Sequence, residues 1–165
     1  MAHKPIDVYL NDHLGGATLG AGLAGQIADH APGTALADLM LGLQAEIRAD
    51  RATLIELMER MDVSRNPVKQ ATGRVAEVAS RLKFSGASSG ESGHGLFMAL
   101  ESMTLGVAGK LSLWRALYEV RAEYPALATI DLDALIARAE EQHATLERER
   151  LAVGRRALAR APAPA

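Results

Sequence analysis

Residues 40–61, MLGLQAEIRADRATLIELMERM, carry apolar residues at alternating steps of three and four along the chain. This spacing is typical of one face of an α-helix that packs against other helices. One position on the face, Asp50, is acidic, and a buried charge costs several kcal/mol unless a partner compensates it. The stretch therefore predicts a core helix that brings an ionisable group into contact with another element.

Three other stretches combine an apolar helical face with a polar residue in it or beside it. A first helix is predicted over 6–29, with His13 on its apolar face. A later helix is predicted over 96–123 with Lys110 beside its face, and the last helix carries His143. The predicted face of the last helix consists of Leu132, Ile136, Ala139, His143, Leu146, Arg150 and Val153. Because each polar group needs a partner, we expect these groups to meet.

Cap and turn residues divide the rest of the chain. Asn66 and Pro67 are a cap and a first residue that start a short third helix. Its roughly 17 residues rise about 25 Å. The Ser- and Gly-rich stretch 85–95 predicts a flexible loop. Thr34 can cap the second helix, and Thr129 or Asp131 opens the last helix. The pattern predicts four long helices, one short helix and no strand.

The positions of the turns predict which residues lie at the same level of a helical bundle. A turn near residue 32 joins the first two helices and puts residue 13 opposite residue 51, so His13 and Asp50 share a level. A turn near residue 127 does the same for Lys110 and His143. The short helix is long enough to return the chain to the first end of the bundle. All four groups are therefore expected in its middle.

The composition restricts the class of protein. The 165 residues suffice for one domain, which we expect over 1–160, with a disordered Ala/Pro tail at 161–165. A net charge of -2 offers no basic field for nucleic acid, and the lack of cysteine excludes disulfides and thiolate chemistry. No continuous apolar run approaches the roughly 20 residues that span a bilayer, and the first residues lack a signal-peptide core. We expect a cytoplasmic protein that does not bind membranes.

The first helix is unusually rich in glycine and alanine between residues 15 and 25. A glycine weakens an isolated helix by roughly 1 kcal/mol. So many glycines predict a compensating contact, most simply the close approach of a neighbouring helix. Such a face also suits helix–helix assembly.

Glu140 and His143, spaced as Glu-x-x-His, together with Glu101 on the preceding helix, resemble the ligand motifs of the ferritin-like superfamily. The stretches 9–14 and 100–114 also look like those of a group of uncharacterised actinobacterial-type helical proteins. The resemblance implies an all-α, ferritin-like antiparallel four-helix bundle with a short extra helix in the crossover connection. It further implies that carboxylates and histidines in the core can bind metal.

One interpretation of the polar residues is a metal site for iron, manganese or zinc. Its candidate ligands are His13, Glu46, Asp50, Glu140 and His143. The second helix departs from the family pattern, because no histidine stands three residues after Glu46.

The other interpretation needs no cofactor, because the ammonium group of Lys110 would neutralise the buried acids. The predicted charge cluster comprises Asp50, Lys110, Glu147, Arg150 and Glu101. In this case we expect a non-catalytic protein that binds a protein partner or assembles as a homo-oligomer. A carrier of a small apolar ligand is a third possibility, since the core of a bundle can hold ligands. No motif predicts a reaction.

Overall fold

The computed structural model describes residues 5–65 and 92–159, which form four long α-helices and no strand. The helices are α1 (Pro5–His30), α2 (Ala35–Arg60), α3 (Ser92–Glu119) and α4 (Leu132–Ala157), with a 3-10 helix at Pro125–Thr129 before α4. The predicted all-α class and the four long helices are confirmed. The predicted short helix from Asn66, most of the loop at 85–95 and the tail at 161–165 lie outside the described residues.

The helix starts follow the predicted caps. The Thr34 hydroxyl accepts a hydrogen bond from the Ala37 amide at 3.2 Å, and the Asp131 carboxylate accepts one from the Ala134 amide at 2.9 Å. Both contacts satisfy backbone N–H groups that have no partner within the helix. Of the two candidates for the start of the last helix, Asp131 is the cap.

The end of α3 corrects a sequence prediction. The helix ends at Glu119 rather than at residue 123, and a turn leads into the 3-10 helix that starts at Pro125. A guanidinium N–H of Arg121 donates to the Tyr118 carbonyl oxygen at 2.6 Å, and the guanidinium lies 3.8 Å from the centre of the Tyr118 ring. The Arg121 side chain thus binds a carbonyl group that the helix leaves without an intrahelical donor.

Two groups of core residues define the directions of the helices. One group lies beside the α1–α2 turn, where Ile27 and Ala37 pack in one cluster with Phe97 near the start of α3 and Val153 near the end of α4. The other group, at the opposite end, includes Leu10, Leu57, Leu117 and Leu132. Helices α1 and α2 therefore form one antiparallel hairpin, and α3 and α4 form another. Since α2 ends far from the start of α3, these two helices run parallel.

The backbones of the two hairpins approach each other more closely on one side of the bundle than on the other. Helix α1 approaches α3 along part of its length, whereas the backbones of α2 and α4 come close at only a few positions. Between α2 and α4, polar side chains rather than close backbone packing make the connection.

The glycines of α1 have different surroundings. At Gly25 a Cβ atom would lie 2.5 Å from the Gln44 amide nitrogen, which donates to the Ala21 carbonyl oxygen at 2.8 Å. The predicted close approach is confirmed there. At Gly16 and Gly22 a Cβ atom would have nothing within 4 Å. The close approach is therefore limited to part of the stretch.

Helix α3 is apolar enough over Gly93–Glu119 to cross a bilayer, judged by length and composition alone. Its mean hydropathy reaches this level although Lys110 and several hydroxyl side chains interrupt every long apolar run. The core helix of a soluble bundle has the same properties. The expectations of a cytoplasmic protein without membrane binding stay predictions.

Two glycine substitutions are expected to change stability in opposite directions. At Gly154 an alanine Cβ would lie 2.8 Å from the buried ring of Phe97, so Gly154→Ala should lower the free energy of unfolding by about 1–2 kcal/mol. Gly22→Ala meets open space and should raise it by about 0.5–1 kcal/mol. Urea unfolding followed by circular dichroism measures both changes. Equal signs for the two variants would contradict the packing described at Gly154.

Candidate functional site

The buried face of α4 passes through Gln142 and not through His143. Leu135 and Gln142 are buried, whereas Ile136 and His143 are only half-buried. At these two positions the buried face uses the residue that precedes the predicted one. The true and predicted faces share Leu132, Ala139, Leu146 and Val153. Both faces follow steps of three and four, and only packing against the other helices selects one of them.

The Asp50 carboxylate is the centre of the polar site. Asp50 is 3% exposed, and each oxygen of its carboxylate accepts a hydrogen bond from a cation on the other hairpin. Lys110 Nζ on α3 donates to Oδ2 at 2.5 Å, and Arg138 Nη2 on α4 donates to Oδ1. The predicted meeting of Asp50 with Lys110 is therefore present in the structure. Charge-assisted hydrogen bonds of this kind are among the stronger polar contacts in proteins.

Two further side chains extend the contact across the bundle. Lys110 Nζ also donates to Gln142 Oε1, and Gln142 Nε2 donates to Glu46 Oε2 at 2.6 Å. Together Glu46, Asp50, Lys110, Arg138 and Gln142 form what we call the ion network. It connects α2 with both helices of the second hairpin.

The ion network contains two acids and two bases, so its formal charge is zero. The side chain of Lys110 is 12% exposed, and burial lowers the pKa of its ammonium group while the Asp50 carboxylate opposes the fall. Buried charges are tolerated when they are paired and their hydrogen bonds are satisfied. The network meets this condition at the carboxylate of Asp50.

Arg150, Glu147 and Glu101 form a second, separate group. Arg150 donates two hydrogen bonds to the Glu147 carboxylate at 2.6 and 2.7 Å and one to Glu101 at 3.2 Å. Hydrogen bonding from Arg150 lowers the pKa of Glu147. On α4, Arg150 lies eight residues after Gln142, or about 12 Å along the helix. The five residues that the sequence analysis placed in one cluster thus lie in two groups.

The five candidate metal ligands occupy different surroundings. Glu140 is exposed and pairs with Arg115 at 2.6 Å, while Glu46 accepts from Gln142. His143 makes no hydrogen bond to any residue in the described part of the chain. Within 5–65 and 92–159, no three histidine, aspartate or glutamate residues lie close enough to hold a metal ion. The donors as placed therefore do not fit a metal centre.

His13 lies on α1 and faces the space between α1 and α3. It is half-buried, and its ring contacts the Tyr9 ring edge-on with 4.6 Å between centres. Burial lowers the pKa of His13, and the nearby Asp12 charge opposes the change. These conditions favour a neutral imidazole at neutral pH.

The space beside His13 is an apolar groove of about 530 Å³ between α1 and α3, which we call the α1–α3 groove. Gly16, Gly106 and Gly109 line it, and a Cβ atom at any of the three would have nothing within 4 Å. Glycines on both helices thus leave open the space that side chains would otherwise fill. Asp50 and Lys110 also line the groove, so the ion network lies against it.

Two side chains that line the groove have hydrogen-bond donors without a partner among the described residues. Trp114 lines the groove and is 1% exposed, and its indole Nε1 has no hydrogen-bond partner in the described parts of the chain. Arg51 also lines the groove, where its Nε donates to the Thr18 hydroxyl at 2.9 Å. No carboxylate of the described residues lies within ion-pair distance of Arg51. A buried donor without a partner is uncommon in folded proteins and needs an explanation.

Comparisons of the chain with protein-family models, with curated proteins and with solved structures found no match. The ferritin-like assignment and the function therefore stay predictions that depend on the residues themselves.

Sequence reasoning missed Arg138 and Gln142, which complete the ion network. Their signal is the spacing of four residues, which puts them on one face of α4 beside the buried Ala139. The predicted face goes through His143 instead, so it includes neither Arg138 nor Gln142.

Removal of the Asp50 charge should destabilise the protein far more than removal of a surface charge. Asp50→Asn leaves Lys110 and Arg138 close together without the carboxylate that binds both of them, and we expect a loss of about 3 kcal/mol in the free energy of unfolding. The control is Glu140→Gln, which breaks an ion pair whose side chains are both half exposed or more and should cost less than about 1 kcal/mol. Urea unfolding measures both. Equal losses would show that the ion network contributes no more than a surface pair.

Proposed function

We propose that this protein is a non-catalytic binding protein that takes a small apolar ligand in the α1–α3 groove. The observation that carries the proposal is an open apolar groove lined by glycines at which an added Cβ atom would have nothing within 4 Å. Ligand sites are concave and mostly apolar, with a few polar groups that orient the ligand. The α1–α3 groove has these properties.

The size of the groove supports this function. Its volume of about 530 Å³ falls within the range of roughly 300–1,000 Å³ that is usual for small-molecule sites. The glycines at 16, 106 and 109 keep the space open at a cost in helix stability, since a glycine is less favourable than alanine by roughly 1 kcal/mol. A binding role would account for this loss of helix stability.

A non-catalytic role is supported by the state of the ionisable groups. A general base must reach a substrate proton with a free lone pair at hydrogen-bond distance. Both oxygens of Asp50 already accept from cations, and Lys110 already donates to Asp50 and Gln142. These groups are arranged for mutual neutralisation, which suits a structural part better than a catalytic one.

We further propose that the protein has a ferritin-like helix arrangement in which Lys110 takes the place of metal. Two antiparallel hairpins with parallel α2 and α3 are the helix order that the resemblance implies. The ammonium group of Lys110 lies in the middle of the bundle, where the resemblance implies metal ligands.

The alternative function is a ferritin-like metalloprotein that binds iron, manganese or zinc. Its support is that His13 and Asp50 line the same groove, although the other candidate ligands lie apart from them. Elemental analysis of protein purified without a chelator distinguishes the two functions. One or two metal ions per chain would favour the metalloprotein.

Protein assembly is a related possibility for the same surface. Leu105 lines the groove and is 68% exposed, an apolar side chain that a helix of a protein partner or of a second copy would cover. Sedimentation velocity separates this possibility from a small ligand. A ligand carrier stays monomeric when the groove is filled, whereas an assembly surface gives a concentration-dependent dimer.

The groove is tested by filling it. Gly109→Leu should abolish binding of the neutral apolar dye Nile red, because the new side chain occupies the open space. Gly22→Leu is the matched control, since Gly22 is also helical with open space around it but does not line the groove. Energy transfer from Trp114, the single tryptophan of the chain, to the dye reports binding at this place. Unchanged transfer in Gly109→Leu would contradict the proposal.

A further inference from the structure

We propose that the ligand of the α1–α3 groove is an amphipathic carboxylic acid, with an apolar chain along the groove and a carboxylate bound by Arg51. This inference depends on the proposed function, because it names the class of ligand for the same groove. Its basis is Arg51, a cationic side chain of the groove that has no carboxylate partner among the described residues.

Arg51 indicates that the head group of the ligand is an anion. Other partly buried arginines of the described chain have carboxylate partners, as Arg138 has Asp50 and Arg150 has Glu147. The only hydrogen bond of the Arg51 side chain to a described residue goes to the neutral hydroxyl of Thr18, through Nε. Its terminal N–H groups have the fork geometry that matches a carboxylate.

The other charges of the groove do not compete for the ligand. Lys110 and Asp50 neutralise each other within the ion network. Asp12 also lines the groove, but it is exposed, so water and salt screen its repulsion of a second anion. Arg51 is thus the available cation of the groove.

The shape of the groove fits an extended chain rather than a compact ring system. On α1 it runs from Asp12 to Leu23, which is about 16 Å along the helix axis. Most of this length is lined by glycine and aliphatic side chains, and the polar residues concentrate toward the Asp12 end. An alkyl chain with one terminal carboxylate matches this distribution.

Isothermal titration calorimetry with dodecanoate and dodecanol tests the carboxylate, since the two probes share the chain and differ in the head group. Both are used below the concentrations at which they aggregate. We expect dodecanoate to bind about tenfold more tightly than dodecanol, as charge-assisted hydrogen bonds contribute on that order. Quenching of Trp114 fluorescence by either probe places it in the groove.

Variants identify the residue that binds the head group. Arg51→Gln should weaken dodecanoate about tenfold and leave dodecanol unchanged, whereas Arg51→Lys should restore much of the loss. The matched control is Arg48→Gln, which removes the same charge from an exposed position of α2 outside the groove and should leave both affinities unchanged.

The outcomes separate this inference from the function on which it depends. Equal affinities for the two probes, with no effect of Arg51→Gln, would overturn the carboxylate and leave a groove for neutral ligands. Failure of dodecanoate, dodecanol and Nile red alike would overturn both. A dimer that forms without any probe and quenches Trp114 would assign the groove to a second copy instead.

Discussion

The Asp50 carboxylate determines how the two hairpins fit together. It is almost fully buried on α2, and both of its oxygens are bound by cations of the second hairpin, one from α3 and one from α4. A sliding movement of one hairpin by a single helical turn, about 5 Å, would leave the carboxylate and two cations unpaired. Apolar side chains tolerate such a shift more readily, because their attraction has no direction. We infer that the ion network sets the register of the bundle.

The two hairpins meet in different ways on the two sides of the bundle. Between α2 and α4, long polar side chains span a separation that backbone packing does not close. Between α1 and α3, glycines face open space, so a groove remains beside the positions where these two helices approach each other. A structural role for Lys110 and a binding role for the groove are consistent with each other.

The sequence predicted the parts of this structure that depend on local spacing. The four helices, the caps at Thr34 and Asp131, and the meeting of Asp50 with Lys110 all followed from periodicity and turn positions. The roles of Arg138 and Gln142 did not, because the predicted and the buried face of α4 share four of their seven residues and only packing selects one. The groove was also missed, since a glycine looks the same in sequence whether a neighbour fills its space or leaves it open.

Nuclear magnetic resonance of the Lys110 ammonium group tests the central claim most directly. In protein with isotope-labelled lysine, we predict an ammonium signal assigned to Lys110 whose protons exchange slowly with water at neutral pH, and which is lost in Asp50→Asn. An ammonium group bonded to two acceptors and shielded from water gives such a signal. A Lys110 signal that exchanges as fast as that of free lysine would contradict the claim that this ion network is formed and sets the register.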